Sequence, residues 1–251
     1  MNARKETRRT SVITGALGGI GSALCKVFTS AGYRVLATDR KQGDCSCDEF
    51  LCEDIRYFCE ESSRLEAFIE HCVRFTGDAG LHVLINNAAV QILNHVQEID
   101  EQQWKETLQT NLLAPFYLTK SLLPQLSRAH GSVVNIASIH ALSTKPRFVT
   151  YATSKAALVG LTRAMAVDLG PKLRVNAISP AATATPMLLS GFGKSANKLA
   201  ELSGKHPLGR IATAEEVAQA ALFLASEAAA FISGATLSVD GGISARLHDP
   251  D

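Results

Sequence analysis

The sequence predicts an α/β fold built on one doubly wound parallel sheet with helices on both faces. Short runs rich in Val, Ile and Leu alternate along the chain with amphipathic stretches. The runs lack a strict alternation of apolar and polar residues, as expected for parallel strands that are buried on both faces. Because strand and helix patterns alternate, right-handed crossovers should place helices on both sides of the sheet.

Seven apolar runs are predicted as strands, in the order Ser11–Thr14, Arg34–Thr38, Phe50–Cys52, His82–Asn86, Ser132–Ala137, Arg174–Ile178 and Thr236–Val239. Between them, apolar residues recur at helical spacing, for example along 20–31, 65–73 and 217–224, which predicts helices that each cover part of a sheet face. A parallel α/β sheet binds its ligand beyond the carboxyl ends of its strands, so functional residues are expected there.

Composition excludes several classes of protein. The chain of 251 residues is 46% hydrophobic and 20% charged, with a net charge of +1, which excludes wholesale disorder and disfavours a nucleic-acid binder with a basic surface. No apolar run reaches the length of a membrane span, and the basic N-terminus lacks the apolar core of a secretory signal, so a cytoplasmic protein without membrane contact is predicted. We predict one domain over 1–251. The stretch 183–206, rich in Gly, Ser and Lys, is either a substrate lid or a pair of surface helices.

Six cysteines are present, and five of them fall within 45–72. In a cytoplasmic protein they should be reduced. A zinc site would have to use Cys45, Cys47, Cys52 and His71, but no pair of C-x-x-C units occurs. We therefore predict that the protein holds no metal.

A glycine-rich turn follows the first predicted strand and opens the first helix. Its spacing from Gly15 to Gly21 is G-x-x-x-G-x-G, where glycine lets a phosphate approach the backbone N–H groups at a helix N-terminus. Asp39 ends the second strand, where a carboxylate can accept hydrogen bonds from ribose hydroxyls and repel the 2′-phosphate of NADP. Arg40 could instead serve such a phosphate. Taken singly, the glycine turn could be structural and Asp39 a turn residue.

Tyr151 and Lys155 lie four residues apart at the start of a predicted helix and so share one face. A nearby ammonium favours the phenolate and lowers the pKa of a tyrosine, which makes it a better proton carrier. Ser138 follows the fifth strand at the ligand edge and can donate a hydrogen bond to a substrate oxygen. Asn111 lies in the helical stretch Glu101–Ser127. Pro115, four residues later, has no N–H to donate to the Asn111 carbonyl, so a kink is expected there. The kink either leaves that carbonyl free to bind a water or serves packing only.

Together these motifs resemble the short-chain dehydrogenase/reductase superfamily from about Thr10 to Gly242. The resemblance also rests on Asp54-Ile55, Asn86-Asn87-Ala88, Arg174-Val175-Asn176 and Ser238-Val239-Asp240-Gly241-Gly242. It implies a Rossmann-like sheet with the strand order 3-2-1-4-5-6-7 and a homotetramer.

The resemblance implies a catalytic tetrad of Asn111, Ser138, Tyr151 and Lys155. Tyr151 would exchange the proton, Ser138 would hold the substrate oxygen, and Lys155 would bind the nicotinamide ribose and lower the pKa of Tyr151. Asn111 would hold a water through its carbonyl. The cofactor would contact Gly15, Leu17, Gly18, Gly19, Ile20, Gly21, Asp39, Arg40, Asp54, Ile55, Asn87, Ala88, Ala89, Pro180, Ala181, Thr183 and Thr185, besides Tyr151 and Lys155.

Two alanines depart from the family pattern, since Ala89 and Ala181 stand where glycine is usual, and a shifted nicotinamide or substrate is expected. For the substrate, Gln91 and His140 leave strand ends at the ligand edge and resemble the residues that hold the carboxylate in D-3-hydroxybutyrate dehydrogenases. Phe148 replaces a lysine of that group and could form an apolar wall for a bulkier alcohol. Gln91 and His140 could also serve only their own loops.

The sequence thus predicts an enzyme that interconverts a secondary alcohol and a ketone with NAD, with Tyr151 as general acid and base. NADP is the less favoured cofactor. One alternative is an NADPH-dependent 3-oxoacyl-thioester reductase, against which Asp39 stands. Another is a nucleotide-sensing protein on the same fold, which would not need Tyr151 and Lys155 together.

Overall fold

The computed structural model describes residues 8–186, 188–189 and 196–247. Its strands are β1 (Thr10–Thr14), β2 (Arg34–Asp39), β3 (Glu49–Cys52), β4 (Val83–Asn86), β5 (Ser132–Ile136), β6 (Arg174–Pro180) and β7 (Thr236–Val239). They form one parallel sheet in the order β3-β2-β1-β4-β5-β6-β7, which confirms the predicted fold and topology. The largest shift of a strand end is in β6, which runs two residues past the predicted end because Ser179 and Pro180 still pair with β7.

The helices of the described residues are α1 (Gly19–Ser30), α2 (Ser62–Thr76), α3 (Glu101–Leu108), α4 (Ala114–Ser121), α5 (Leu123–Arg128), α6 (Val149–Leu169), α7 (Ala196–Lys205) and α8 (Ala214–Ala225). They cover both faces of the sheet. Ile13 and Val134 pack in the core formed with α1 and α8, whereas Val12 and Val133 pack in the core formed with α2, α4 and α5. Successive residues of a strand therefore enter opposite cores, which explains why the strands read as unbroken apolar runs.

The predicted helical stretch Glu101–Ser127 is interrupted near Pro115, as expected. Residues Gln109–Leu113 form a π-helical segment between α3 and α4, in which the N–H of Ala114 bonds to the carbonyl of Gln109. Pro115 lies at the start of α4 and has no N–H to donate to the preceding turn. The wider turn is the local solution to that missing donor.

The predicted lid over 183–206 includes residue 187 and residues 190–195, which lie outside the described residues. Its described end is α7, and Thr183 forms an isolated bridge with Ala212. The lid therefore stays a prediction. None of the described helices is long and apolar enough to cross a membrane. Over the same residues, no cluster of three or more His, Cys, Asp or Glu is placed to bind a metal, and His71 lies 2.8 Å from Glu49 instead.

Candidate active site

A cavity of about 1020 Å³ lies along the carboxyl ends of the strands. The residues predicted to bind cofactor or substrate all line it: Gly15, Leu17, Gly18, Gly19, Ile20, Gly21, Asp39, Arg40, Asp54, Ile55, Asn87, Ala88, Ala89, Gln91, Ser138, His140, Phe148, Tyr151, Lys155, Pro180, Ala181, Thr183 and Thr185. Asn111 does not line the cavity and lies behind it, 1% exposed. The sheet thus gathers residues that are far apart in the sequence at one edge.

The glycine turn forms one part of the cavity wall. Gly15 has φ +68°, in the left-handed region that favours glycine, and the N–H of Gly18 bonds back to its carbonyl at 3.2 Å. A Cβ on Gly21 would overlap that same carbonyl oxygen, so α1 can approach the turn only with glycine there. This close approach leaves the N-terminus of α1 open toward the cavity, an arrangement that suits a pyrophosphate. The cradle therefore fits a dinucleotide.

Asp39 lies at the end of β2 beside this turn. Its carboxylate accepts hydrogen bonds from the N–H of Leu17 at 3.1 Å and from the N–H of Lys41 at 3.3 Å. The carboxylate is thereby fixed at the edge of the glycine turn, where the ribose of a dinucleotide would lie. Two cations, Arg40 and Lys41, line the cavity next to it. The end of β2 thus offers a carboxylate that can bind the ribose hydroxyls and two cations that can bind a phosphate on the ribose.

Lys155 and Tyr151 are positioned by β5 and α6. Lys155 is 2% exposed, and its Nζ donates a hydrogen bond of 2.7 Å to the carbonyl of Ile136, the last residue of β5. Ser138 follows two residues later and lies close enough to the phenol of Tyr151 to lower the pKa of that phenol. Nζ of Lys155 lies 5.7 Å from the centroid of the Tyr151 ring. One strand end therefore holds both sides of the proton-transfer site.

Burial sets the pKa values of Tyr151 and Lys155 in the protein without cofactor, and the predicted effect of Lys155 on Tyr151 stays a prediction. Burial raises the pKa of Tyr151 above its usual value, and only the Ser138 hydrogen bond works in the opposite direction. Burial also lowers the pKa of Lys155 to about 7, so that near neutral pH its amine is only partly charged. Desolvation is thus the largest cause of both pKa shifts.

Asn111 connects two elements through its side chain. Its Oδ1 accepts from the N–H of Val90 at 2.8 Å, and its Nδ2 donates to the Val90 carbonyl at 2.9 Å and to Ser154 Oγ at 3.0 Å. The side chain thereby holds the loop after β4 against α6. The water predicted at its carbonyl stays a prediction.

The predicted substrate residues form an aromatic wall beside Tyr151. The rings of His140 and Phe148 are stacked with centroids 4.2 Å apart, and each lies edge-on to Tyr151 at 5.9 and 6.2 Å. Burial, followed by the charge of Lys145, lowers the pKa of His140 to about 4. The imidazole is therefore uncharged at neutral pH. It can donate one hydrogen bond and accept another, but it cannot form an ion pair with an anion. Gln91 lines the same cavity from the loop after β4.

Sequence reasoning named no single residue on a further part of the cavity wall. Leu202 and His206 reach it from the end of α7, within the predicted lid, and Ile243, Ser244 and Arg246 reach it from the segment after β7. The last three follow directly after the motif Ser238–Gly242. The signal that could have found them is the topology, since β7 lies at the far end of the sheet from β2 and β3.

This fold and site define an oxidoreductase that acts on CH–OH groups with a nicotinamide cofactor. The family model described as "Enoyl-(Acyl carrier protein) reductase" matches residues 15–244. The chain is 31% identical to acetoacetyl-CoA reductase of Acinetobacter sp. (strain RA3849) over 247 residues, which covers 94% of this chain and 98% of that protein. It belongs to the short-chain dehydrogenase/reductase family.

Solved structures agree with this assignment. Aldohexose dehydrogenase of Thermoplasma acidophilum, in ligand-free form, superposes with a TM-score of 0.90 at 31% identity and covers 97% of each chain. ElxO with NADP bound has a TM-score of 0.85 at 27% identity, covering 96% of this chain and all of the other. 4-Hydroxyisoleucine dehydrogenase complexed with NADH has the same TM-score at 26% identity and the same coverage. The two ligands show that similar proteins take either nicotinamide dinucleotide.

Proposed function

We propose that this protein interconverts a secondary alcohol and a ketone with NAD, with Tyr151 as the acid–base group. The observation that carries the proposal is the grouping of Ser138, Tyr151 and Lys155 in the same cavity as the glycine turn and Asp39. A bound nicotinamide dinucleotide supplies the hydride acceptor or donor. The chain supplies the positions of the substrate oxygen and of the proton.

In the oxidation direction, the substrate hydroxyl is held by Ser138 and Tyr151. The phenolic proton of Tyr151 passes to the neutral amine of Lys155, and the resulting phenolate accepts the hydroxyl proton while hydride leaves the substrate carbon. Lys155 has a pKa of about 7 and can therefore take up and release a proton near neutral pH. The Ile136 carbonyl is the only described hydrogen-bond partner of its Nζ. Asn111 keeps the loop after β4 fixed against the helix that carries both residues.

The test of this chemistry is Tyr151→Phe, which removes the only proposed proton carrier. We expect kcat to fall by about 10²- to 10⁴-fold, the range of a positioned general acid–base, while the Kd for NAD is unchanged. Near-normal turnover by the phenylalanine variant would remove Tyr151 from the mechanism. Loss of NAD binding would show that the substitution had damaged the fold instead.

NAD is proposed over NADP because Asp39 fixes a carboxylate beside the glycine turn. A phosphate on the ribose would be repelled by that charge. Asp39→Ala should therefore lower the ratio of kcat/KM for NAD to that for NADP, and Arg40→Ala should raise it or leave it unchanged. A wild-type enzyme that prefers NADP would refute the assignment and place Arg40 and Lys41 at the phosphate.

A second candidate is reduction of a 3-oxoacyl thioester with NADPH. The similarity to acetoacetyl-CoA reductase and the family-model description favour it. Measuring acetoacetyl-CoA reduction with NADPH and with NADH separates it from the first candidate. A nucleotide sensor without turnover is disfavoured, because the Ser138, Tyr151 and Lys155 set is complete.

The substrate is proposed to be small and polar, with a carboxylate or several hydroxyls held by Gln91 and His140. The neutral imidazole of His140 suits hydroxyls, and Phe148 supplies an apolar surface for the carbon skeleton. His140→Ala should raise KM for the true substrate about 5- to 150-fold, because a buried polar partner left unpaired costs roughly 1–3 kcal/mol. If His140→Ala and Gln91→Ala both leave KM unmoved, this part of the proposal fails.

A homotetramer in the cytoplasm is proposed on two observations. Apolar side chains such as Val167, Phe223 and Phe231 are exposed, and β7 is an edge strand whose outer side has no described partner. All six cysteines are unpaired, as is usual in reducing compartments. Light scattering that gives the mass of a single chain would refute the oligomer.

A further inference from the structure

The cavity is lined by a second histidine besides His140. His206 follows α7, is 3% exposed and lines the cavity together with Leu202, Ile243 and Arg246. The strand order places this wall on the substrate side. Asp39 and Asp54 come from β2 and the end of β3 at one end of the sheet, whereas Ile243 and Arg246 follow β7 at the other end.

Two edges of the His206 ring are already in contact with the protein. Nδ1 lies 2.9 Å from the carbonyl of Leu202. A carbonyl only accepts, so Nδ1 carries the proton in this bond. On another edge, Cβ and Cδ2 face Gly241, where an added Cβ would lie 3.6 Å from both atoms. The remaining edge of the ring holds Nε2 and Cε1.

Nε2 of His206 is buried and has no hydrogen-bond partner among the residues that the structure describes. With the proton on Nδ1, the neutral ring presents a lone pair at Nε2, which can only accept. A buried acceptor without a donor is unfavourable, so such groups normally find a partner or mark a binding site. None of the described ion pairs includes His206, and its described hydrogen bond is to the Leu202 carbonyl.

We propose that Nε2 of His206 accepts a hydrogen bond from a hydroxyl of the substrate other than the one being oxidised. The substrate class is therefore a diol or polyol, or the corresponding hydroxyketone. A carboxylate cannot satisfy this atom, because it has no proton to donate. The inference rests on the proposed alcohol–ketone chemistry. Of the two substrate types proposed above, it favours the one that carries several hydroxyls over the one that carries a carboxylate.

Two variants separate binding from structure. The amide nitrogen of asparagine replaces Nδ1, so His206→Asn keeps a donor for the Leu202 carbonyl and loses the acceptor at Nε2. The amide oxygen of glutamine reaches the position of Nε2, so His206→Gln keeps the acceptor. If the ring only supports α7, the asparagine variant should behave like the wild type and the glutamine variant should be impaired.

The probes are butane-2,3-diol and butan-2-ol with NAD, a pair that differs only in a second hydroxyl. We expect His206→Asn to raise KM for the diol roughly 5- to 100-fold and to leave KM for the mono-alcohol unchanged, whereas His206→Gln should retain most of the wild-type preference. An equal effect of the asparagine variant on both alcohols, or no effect on either, overturns the proposal.

A second readout does not depend on turnover. In protein labelled with ¹⁵N-histidine and saturated with NADH, the His206 signals are identified by their loss in His206→Asn. We expect an unprotonated Nε2 whose resonance moves with butane-2,3-diol and not with butan-2-ol. A protonated Nε2, or no response specific to the diol, overturns the proposal. If neither alcohol is oxidised by the wild type but the diol moves the resonance, the proposed reaction fails and the role of His206 stands.

Discussion

Replacing Lys155 with methionine should make the cofactor-free protein more stable at neutral pH. Lys155 is 2% exposed, and burial lowers its pKa from 10.5 to about 7. In the unfolded chain the amine keeps its proton up to about pH 10.5, whereas the folded protein begins to lose it near pH 7. Between these values the unfolded state binds more protons, so stability rises with pH by about 1.36 kcal/mol per pH unit.

At pH 7 the buried amine therefore destabilises the folded protein by roughly 4–5 kcal/mol relative to strongly alkaline pH. Methionine removes this destabilisation by the buried amine. It also loses the hydrogen bond to the Ile136 carbonyl, which costs about 1–2 kcal/mol. The net gain should be about 2–4 kcal/mol at pH 7. At pH 9.5 only about 1.4 kcal/mol of the original term remains, so the gain should vanish.

The assay is urea unfolding followed by far-UV circular dichroism, without cofactor and at one protein concentration, at pH 7 and pH 9.5. Lys172→Met is the matched control, because Lys172 is an exposed lysine just after α6. It should change stability little and by the same amount at both pH values. The reasoning is refuted if Lys155→Met is less stable than the wild type at pH 7, or if its effect does not depend on pH.

Further predictions concern the backbone. Gly21→Ala should abolish NAD binding in calorimetry, since its Cβ would overlap the Gly15 carbonyl, whereas Gly160→Ala, on α6 with open space around it, should bind normally; equal affinities would contradict the steric argument. Arg147 has φ +75°, and its guanidinium donates to the Leu93 carbonyl at 3.1 Å. Arg147→Gly relieves the backbone while losing this bond, and Arg147→Ala only loses the bond, so thermal unfolding should find the alanine variant less stable by about 1 kcal/mol. Equal stability of the two variants would show that the backbone is unstrained.

The sheet and the grouping of Ser138, Tyr151 and Lys155 in one cavity could be predicted because they depend on local pattern. The strands are apolar runs whose alternate residues enter two cores, and Tyr151 and Lys155 need only helical spacing to share a face. The direction of the Tyr151 pKa shift could not be predicted, because it is the balance between burial and one hydrogen bond in the folded protein. His206 was missed because its role depends on the end of α7 meeting the segment after β7.

Lys155 reaches back to the carbonyl of Ile136, two residues before Ser138, while Tyr151 precedes Lys155 by one turn of α6. The positions of Tyr151 and Lys155 thus depend on one strand, β5, and one helix, α6. Other parts of the cavity wall come from separate segments, with His140 after β5 and His206 after α7. Related proteins can therefore diverge in substrate by exchanging residues of these walls, while the arrangement of Tyr151 and Lys155 is kept.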